Sequence, residues 1–176
     1  MSKITFKIFS GGERYPILVD KDDIPDFWVT IFVTAELRSS HKASSIENTI
    51  RSILHLRLWE KMENRDLLTE FENGKFLSNE DIDSIRDFCL LNKLSVIRYM
   101  KIKQSANVSK LSWTNPSAKR GFKTVSKRHM AIRLAHIANY LGFVFADLVR
   151  QKDNCSELNQ KIDKMKCLIK AQGHKV

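Results

Sequence analysis

Four polar residues that are able to do chemistry recur along one predicted helix. His129, Arg133, His136 and Tyr140 are separated by 4, 3 and 4 residues, a spacing that places side chains on the same helix face. Such a row would bind phosphate through its cationic groups, or it would be a set of half-buried positions in which Tyr140 belongs to the core. We favour the half-buried interpretation and keep the phosphate-binding row as the alternative.

The sequence contains no motif for a metal or a cofactor. His129 and His136 lie seven residues apart without a third ligand of obvious type, whereas zinc sites use three or four protein ligands. The three cysteines (Cys89, Cys155 and Cys167) form no Cys-x-x-Cys pair, and we interpret them as buried or free thiols of a reducing cytosol. No phosphate-cradling glycine loop is present. We therefore expect no cofactor and no metal.

The carboxylates are not arranged for catalysis. Glu60, Glu63, Asp66 and Glu70 fall in predicted helices that are rich in Lys and Arg, where acidic side chains mostly pair with bases and face solvent. A nucleophile with an adjacent base and convergent cationic groups is not evident. The sequence thus indicates a chain that is not an enzyme by itself and has no small-molecule substrate.

Positive charge is concentrated in one segment. The chain has 176 residues and a formal net charge of +10, and residues 93–152 hold 13 Lys and Arg against a single acid, Asp147. Residues 1–92 hold 12 basic and 16 acidic residues. Because solvated faces usually mix both signs, this asymmetry indicates a polyanionic partner: DNA, RNA or an anionic membrane surface. A protein that is merely basic is the alternative.

Apolar runs are only a few residues long, which predicts that no segment spans a membrane, since a spanning helix needs about 20 predominantly apolar residues. Alternating residues 5–9 and 15–19 flank Ser10-Gly11-Gly12-Glu13 and predict an N-terminal β-hairpin. Residues 20–26 read as an acidic loop. Residues 28–37 are apolar and β-branched, and fit either a strand or a short helix.

Helical periodicity and capping signals predict about five helices beyond residue 40. Ser44 followed by Glu47 has the spacing of a capping box and opens a helix extending to about residue 64. A short helix over residues 65–72 ends at Gly74, and Ser78 with Asp81 caps a third. Ser126 opens the most regular helix, and residues 155–170 form the last.

Residues 100–125 show no sustained period and predict a long basic loop, which inside a compact domain is usually functional. Trp113 and Phe122 interleave its basic residues. They would stack on bases or, as we favour, pin the loop by hydrophobic contact. The loop leads into the helix that Ser126 opens.

The two basic helix starts carry the candidate DNA contacts. Helix N-termini offer backbone N–H groups to phosphates, and Lys and Arg neutralise phosphate charge. Simple capping is the alternative for Ser44 and Ser45, although capping does not exclude phosphate contact. The candidate nucleic-acid-binding residues are Ser44, Ser45, Thr49, Arg51, Lys119, Arg120, Lys123, Lys127, Arg128 and Arg133.

The run SSIENTIRSILHLRLW, residues 44–59, resembles the first helix of the core-binding domain of tyrosine recombinases, the phage-type integrases. Further similarity lies in Tyr15-Pro16-Ile17-Leu18-Val19, in residues 66–82 and in residues 125–141. The resemblance covers roughly residues 15–150. It consists of helical periodicity with a few polar anchors.

The resemblance implies a mainly α fold, a compact SAM-like helical bundle with a small β-hairpin. Residues 1–40 would form the hairpin and lead-in segment, and residues 41–176 the core-binding domain. The implied partners are double-stranded DNA and, in a full-length recombinase, other protomers. The implied location is the bacterial cytoplasm, at the nucleoid, without membrane association.

Recombinase chemistry is absent from the chain. The family uses two arginines, a lysine, a His-x-x-Arg pair and a nucleophilic tyrosine in a separate catalytic domain. The interval from His129 to Arg133 is one residue too long for that pair, and Tyr140 lies on the same helix. The chain is therefore expected to bind DNA without cleaving it. A stand-alone RNA-binding protein and a helical module regulating a recombinase or docking on an acidic partner remain as alternatives.

Overall fold

The computed structural model describes residues 2–105, 122–150, 152 and 155–173, with the side chains of residues 103–105 left out. Within these ranges the protein is mainly helical, with seven α-helices and a two-stranded antiparallel sheet at the N-terminus. The predicted fold class, a helical bundle with a small N-terminal hairpin, is confirmed. The bundle has more helices than the predicted five.

The hairpin pairs β1 (Lys3–Ile8) with β2 (Arg14–Val19), in a register that sets Lys3 opposite Val19 and Ile8 opposite Arg14. Gly12 takes the positive φ of 80° that the connecting turn requires. Tyr15, Leu18 and Val19 are buried. Because β1 is largely exposed, β2 is the strand that attaches the hairpin to the helices.

Residues 28–37, which the sequence leaves between strand and helix, are helical. Asp26 caps α1 (Phe27–Phe32) by accepting from the Val29 amide at 3.0 Å, and the chain continues as a π-helical turn, Val33–Leu37. Val29, Phe32 and Val33 are buried. The apolar, β-branched residues of this segment are therefore buried by a helix rather than by a strand.

The capping box predicted at Ser44 is wrong. Helix α2 (Ala43–Glu63) begins two residues earlier than a cap at Ser44 implies, with Lys42 as an N-cap that provides no side-chain hydrogen bond. The amides of Ser45 and Ile46 instead bond to the Lys42 carbonyl at 2.9 and 3.1 Å. Glu47 is thereby free to pair with Arg51. The predicted end near residue 64 is confirmed, since Asn64 takes a left-handed conformation there.

The two helices that follow agree with the sequence predictions. Helix α3 (Leu67–Glu72) is capped by Asp66 and is followed by Gly74, whose φ is 73°. Helix α4 (Asn79–Leu90) begins with the capping box of Ser78 and Asp81. Ile82, Ile85, Phe88 and Cys89 are its buried residues.

Helix α5 (Lys93–Ser105) corrects the predicted loop over residues 100–125. Its first turn is capped by Asn92, whose side chain accepts from the Ser95 amide at 2.9 Å. Val96 and Tyr99 are buried, so the helix has an inward face. Residues 122–125 are extended, and Thr124 pairs with Leu91. Trp113, Lys119 and Arg120 lie outside the described residues.

Helix α6 (Lys127–Val149) is the central element and packs against α1, α2, α3, α4 and α7 (Cys155–Gln172). Ser126 caps it as predicted. Contrary to the sequence expectation, α6 is long and apolar enough to cross a membrane by length and composition. Half of that stretch is buried inside the protein, because α6 lies at the centre of the bundle and its apolar side chains contribute to the core.

One hydrophobic core runs through the described residues. Tyr15 and Leu18 of the hairpin join Phe32 of α1, Trp59 of α2 and Phe145 of α6 in a single cluster. The lead-in segment, predicted as residues 1–40, is therefore packed on the helices that follow it.

Candidate nucleic-acid interface

Helices α2 and α6 are joined by three side-chain contacts. Ser52 Oγ lies 3.0 Å from His136 Nδ1, Arg57 Nη2 donates to Tyr140 Oη at 2.9 Å, and Arg133 Nη1 lies 3.3 Å from His55 Nε2. The first turns of the two helices contribute Ser45 and His129 to the lining of a common cleft.

A cleft of about 520 Å³ opens between these helices and the segment that precedes α2. Its ionisable lining groups are all basic: three histidines and two arginines. Hydroxyl and amide side chains and three apolar residues complete the lining. The lining residues are Phe32, Leu37, His41, Ser45, Asn48, Thr49, Arg51, Ser52, His129, Ile132, Arg133, His136 and Asn139.

The first turns of both helices lack acidic residues. The first turn of α6 contains Lys127 and Arg128, both exposed, and His129, which also lines the cleft. In α2 the exposed Ser44 and Ser45 occupy the equivalent turn. Helix N-termini carry a partial positive charge from their unpaired N–H groups. The two ends therefore add to the positive potential of the cleft.

The eight predicted site residues that the structure describes lie at or near the starts of α2 and α6. Ser45, Thr49, Arg51 and Arg133 line the cleft. Ser44 lies in the adjacent first turn of α2. Lys127 and Arg128 lie in the first turn of α6, and Lys123 is exposed shortly before it. This convergence of distant segments is what a shared binding surface requires.

Thr49 and Arg133 have internal roles that differ from the predicted phosphate contacts. Thr49 is only 5% exposed, and its hydroxyl donates to the Ser45 carbonyl at 3.2 Å. The Arg133 guanidinium donates through Nη1 to the carbonyls of Cys89 and Leu91, at 2.8 and 2.7 Å. Burial lowers the pKa of Arg133. Arg133 thus caps the C-terminus of α4 from α6, because the last carbonyls of a helix need external donors.

His55 lies beneath the Arg133 guanidinium. Its Nε2 is 3.3 Å from Arg133 Nη1 and 3.3 Å from the Leu91 carbonyl. Burial, together with the positive charge of Arg133, lowers the pKa of His55 to about 4. His55 is consequently a neutral core residue, which its sequence position does not reveal.

The four polar residues of the predicted row on α6 differ in solvent exposure. His129 is exposed, Arg133 and His136 are half-buried, and Tyr140 is 1% exposed. Burial raises the pKa of Tyr140 despite the opposing effect of the adjacent Arg57. The half-buried interpretation therefore holds for the inner members, while His129 and His136 remain in the cleft lining.

His41 is a cleft residue that sequence reasoning missed. It lies in the turn before α2, and its Nδ1 is 2.7 Å from Ser40 Oγ. Its closeness to His136 is seen in the pKa of His136, which is lowered first by burial and then by His41. No local signal connects two histidines on separate segments.

Phe122 has intramolecular partners. Its ring contacts Tyr99 edge-on at 6.1 Å between centroids, and the Arg98 guanidinium lies over it at 5.6 Å. These contacts agree with the hydrophobic-pin interpretation for Phe122. Trp113 lies outside the described residues.

The described residues thus define a mainly helical protein with a basic cleft between α2 and α6. No protein-family model, curated protein or solved structure matches the chain. In the part of the chain that the structure describes, no group of three or more His, Cys, Asp or Glu side chains is arranged to hold a metal ion.

Proposed function

We propose that this chain binds double-stranded DNA at the end of the bundle where α2 and α6 begin. The observation that carries the proposal is the basic cleft that is lined by residues from the acid-free first turns of both helices, Ser45 and His129. Phosphates bind at such helix ends through backbone N–H groups. A duplex presents phosphates on two strands, and two adjacent helix starts are suited to meet them.

Three positively charged side chains surround this end: those of Lys123, Lys127 and Arg128. All three are exposed, and no described ion pair occupies the side chains of Lys127 or Arg128. Contacts of this kind give affinity that is independent of sequence and falls as salt rises. Ser44, Ser45 and Arg51 extend the same surface along the start of α2.

Duplex DNA is favoured over single strands by the distribution of aromatic rings. Binding of single strands typically uses exposed aromatic side chains as stacking platforms. Phe32, the aromatic residue in the cleft lining, is only 3% exposed, and Phe122 is packed against Tyr99. The described part of the basic end therefore offers charge and hydrogen bonds more than stacking surface.

The resemblance of residues 15–150 to recombinase core-binding domains extends the proposal. On this basis the chain is the DNA-binding part of a bacterial tyrosine recombinase and contributes to DNA integration and recombination without cleaving strands itself. Other recombinase protomers would then be its protein partners. This extension is supported by the sequence pattern, and the duplex-binding proposal does not depend on it.

A salt titration of binding to a labelled duplex of about 30 bp tests the proposal. Single-stranded DNA and RNA of equal length serve as competitors. Preference for the duplex, with a salt slope that reflects several phosphates, is the expected result. Preference for RNA, or no binding near physiological salt, would contradict it.

A further inference from the structure

Resting on the proposed function, we infer that the cleft between α2 and α6 is a proton-linked phosphate site. In this site His136 takes up a proton when a DNA phosphate binds in the cleft that it lines together with His41 and His129. The proposal goes beyond charge attraction by fixed cations, because it makes the affinity for DNA depend on pH in the physiological range.

The geometry gathers the histidines from two distant segments. His41 comes from the turn before α2, His129 from the first turn of α6 and His136 from two turns further along α6. The cleft they line is open and has room for a phosphate. Phe32, Leu37 and Ile132 form its apolar part, which lowers the local dielectric and strengthens charge interactions there.

The charged groups around His136 are all cationic or neutralised. Its own helix contributes Arg133, and α2 contributes Arg51, which is paired with Glu47. The segment before α2 contributes His41. Since no carboxylate lines the cleft, the lining offers no counter-ion for a protonated histidine, and an incoming phosphate would supply one.

The hydrogen bonds of His136 define which nitrogen takes the proton. Ser52 Oγ donates its proton to the Asn48 carbonyl at 2.9 Å. Towards any other partner the Ser52 oxygen can therefore only accept a hydrogen bond. His136 Nδ1, at 3.0 Å, therefore donates to Ser52 Oγ. Nε2 of the neutral ring remains the basic nitrogen. Protonation at Nε2 converts His136 into a donor from both nitrogens.

The linkage has a definite sign. Burial and the neighbouring His41 lower the pKa of His136 in the free protein, whereas a bound phosphate raises it by opposite charge. Affinity is then gained as pH falls through the bound-state pKa, and the gain ends below the free-state pKa. Each proton taken up gives up to about a tenfold change in affinity per pH unit.

The test measures duplex affinity at constant salt between about pH 8 and about pH 6. The full chain is compared with the triple variant His41→Asn, His129→Gln, His136→Gln, in which the amides keep hydrogen-bonding capacity without titrating. Lys127→Ala is the matched control, because it removes a positively charged side chain of the same surface and leaves all three histidines in place. Circular dichroism of every variant establishes that the helices are retained.

We expect the affinity of the wild-type chain to rise severalfold per pH unit as pH falls, and the triple variant to lose most of this rise. Lys127→Ala should bind more weakly at every pH with the same pH dependence. Tight duplex binding that is flat with pH, or an unchanged pH dependence in the folded triple variant, would overturn the proton linkage and leave DNA binding intact. Absence of duplex binding at every pH would overturn both proposals.

Discussion

Ser52 Oγ and His136 Nδ1 lie 3.0 Å apart and join the middle of α2 to the middle of α6. Both residues line the basic cleft, together with Ser45 and His129 from the first turns of the two helices. Helix N-termini carry a partial positive charge. The cleft thus combines cationic side chains with two helix starts.

Replacing Lys127 or Arg128 by Ala should weaken binding to every duplex to a similar extent. Each side chain is exposed in the first turn of α6, where it would neutralise about one phosphate. The salt slope should fall by about one unit per substitution. Salt titrations with two unrelated duplex sequences measure both effects.

Lys61→Ala is the matched control for this pair. Lys61 is exposed like Lys127 but lies in the last turn of α2, at the opposite end of that helix. Its removal should leave the salt slope unchanged. An equal loss of slope in all three variants would mean that positive charge anywhere on the protein suffices. It would contradict a binding surface localised at the helix starts.

Ser78→Ala should lower the free energy of unfolding by about 1 kcal/mol, because Ser78 accepts from the Asp81 amide in the capping box of α4. Ser44→Ala should cost less than about 0.5 kcal/mol, since Ser44 lies inside the first turn of α2 and caps nothing. Urea unfolding of both variants provides the comparison. A larger loss of stability for Ser44→Ala than for Ser78→Ala would show that Ser44 caps α2, as the sequence predicts.

His55 should make stability fall as the solution becomes acidic. Its pKa in the folded protein is about 4, against about 6.5 for a free histidine, so the unfolded chain binds the proton more tightly. The contribution is present in full above about pH 6.5 and is lost progressively as pH falls towards about 4. Between about pH 7 and about pH 5 it amounts to about 2 kcal/mol.

The variant His55→Gln tests this contribution. Its free energy of unfolding should decline less than that of the wild-type chain over the same pH interval, by the stated amount. Urea titrations at both pH values measure the difference. Identical pH dependence in the two proteins would show that His55 is not held neutral by burial and Arg133.

Arg57→Met should destabilise the fold strongly. Arg57 pairs with Asp26 and Glu60, each at 3.1 Å, and donates to Tyr140. The side chain of Glu60 is only 7% exposed, so removing the guanidinium leaves a buried carboxylate without its cation. A loss of about 3 kcal/mol is expected. The exposed pair of Arg51 and Glu47 provides the comparison, with under about 0.5 kcal/mol for Arg51→Ala.

Unfolding curves in urea at neutral pH separate these two variants. Equal losses for Arg57→Met and Arg51→Ala would indicate that the network around Arg57 is solvated and contributes little. The contacts of Arg57 with Asp26, Glu60 and Tyr140 also join α1, α2 and α6. The stability loss in Arg57→Met should therefore appear equally in every spectroscopic probe of unfolding.

Local signals were sufficient for much of the fold. The alternation around Gly12, the capping box at Ser78 and the apolar period of α6 each lie within a short stretch of sequence, and each is confirmed. Helix α5 was missed because its exposed basic residues obscure a buried face of few residues, Val96 and Tyr99. The Asn92 cap was the available signal for its start.

The candidate site was less accessible to sequence reasoning because it depends on contacts between distant segments. The charge asymmetry identified Lys123, Lys127 and Arg128 as surface cations. The carbonyl partners of Arg133 come from the end of α4, which no local pattern indicates. The same holds for His41 and His136, which lie on separate segments and line the same cleft.

The most direct test of the central claim is to map the duplex on the folded protein by amide chemical shifts. Titration of the isotopically labelled chain with a duplex of about 30 bp should shift the amides in the first turns of α2 and α6 and the side-chain resonances of the cleft histidines. The amides of the first two turns of α7 and of the C-terminal half of α2 should not shift, whereas the end of α7 lies beside Ala131 near the start of α6. Shifts concentrated on those elements, or no shifts near physiological salt, would contradict the assignment of DNA binding to this end of the bundle.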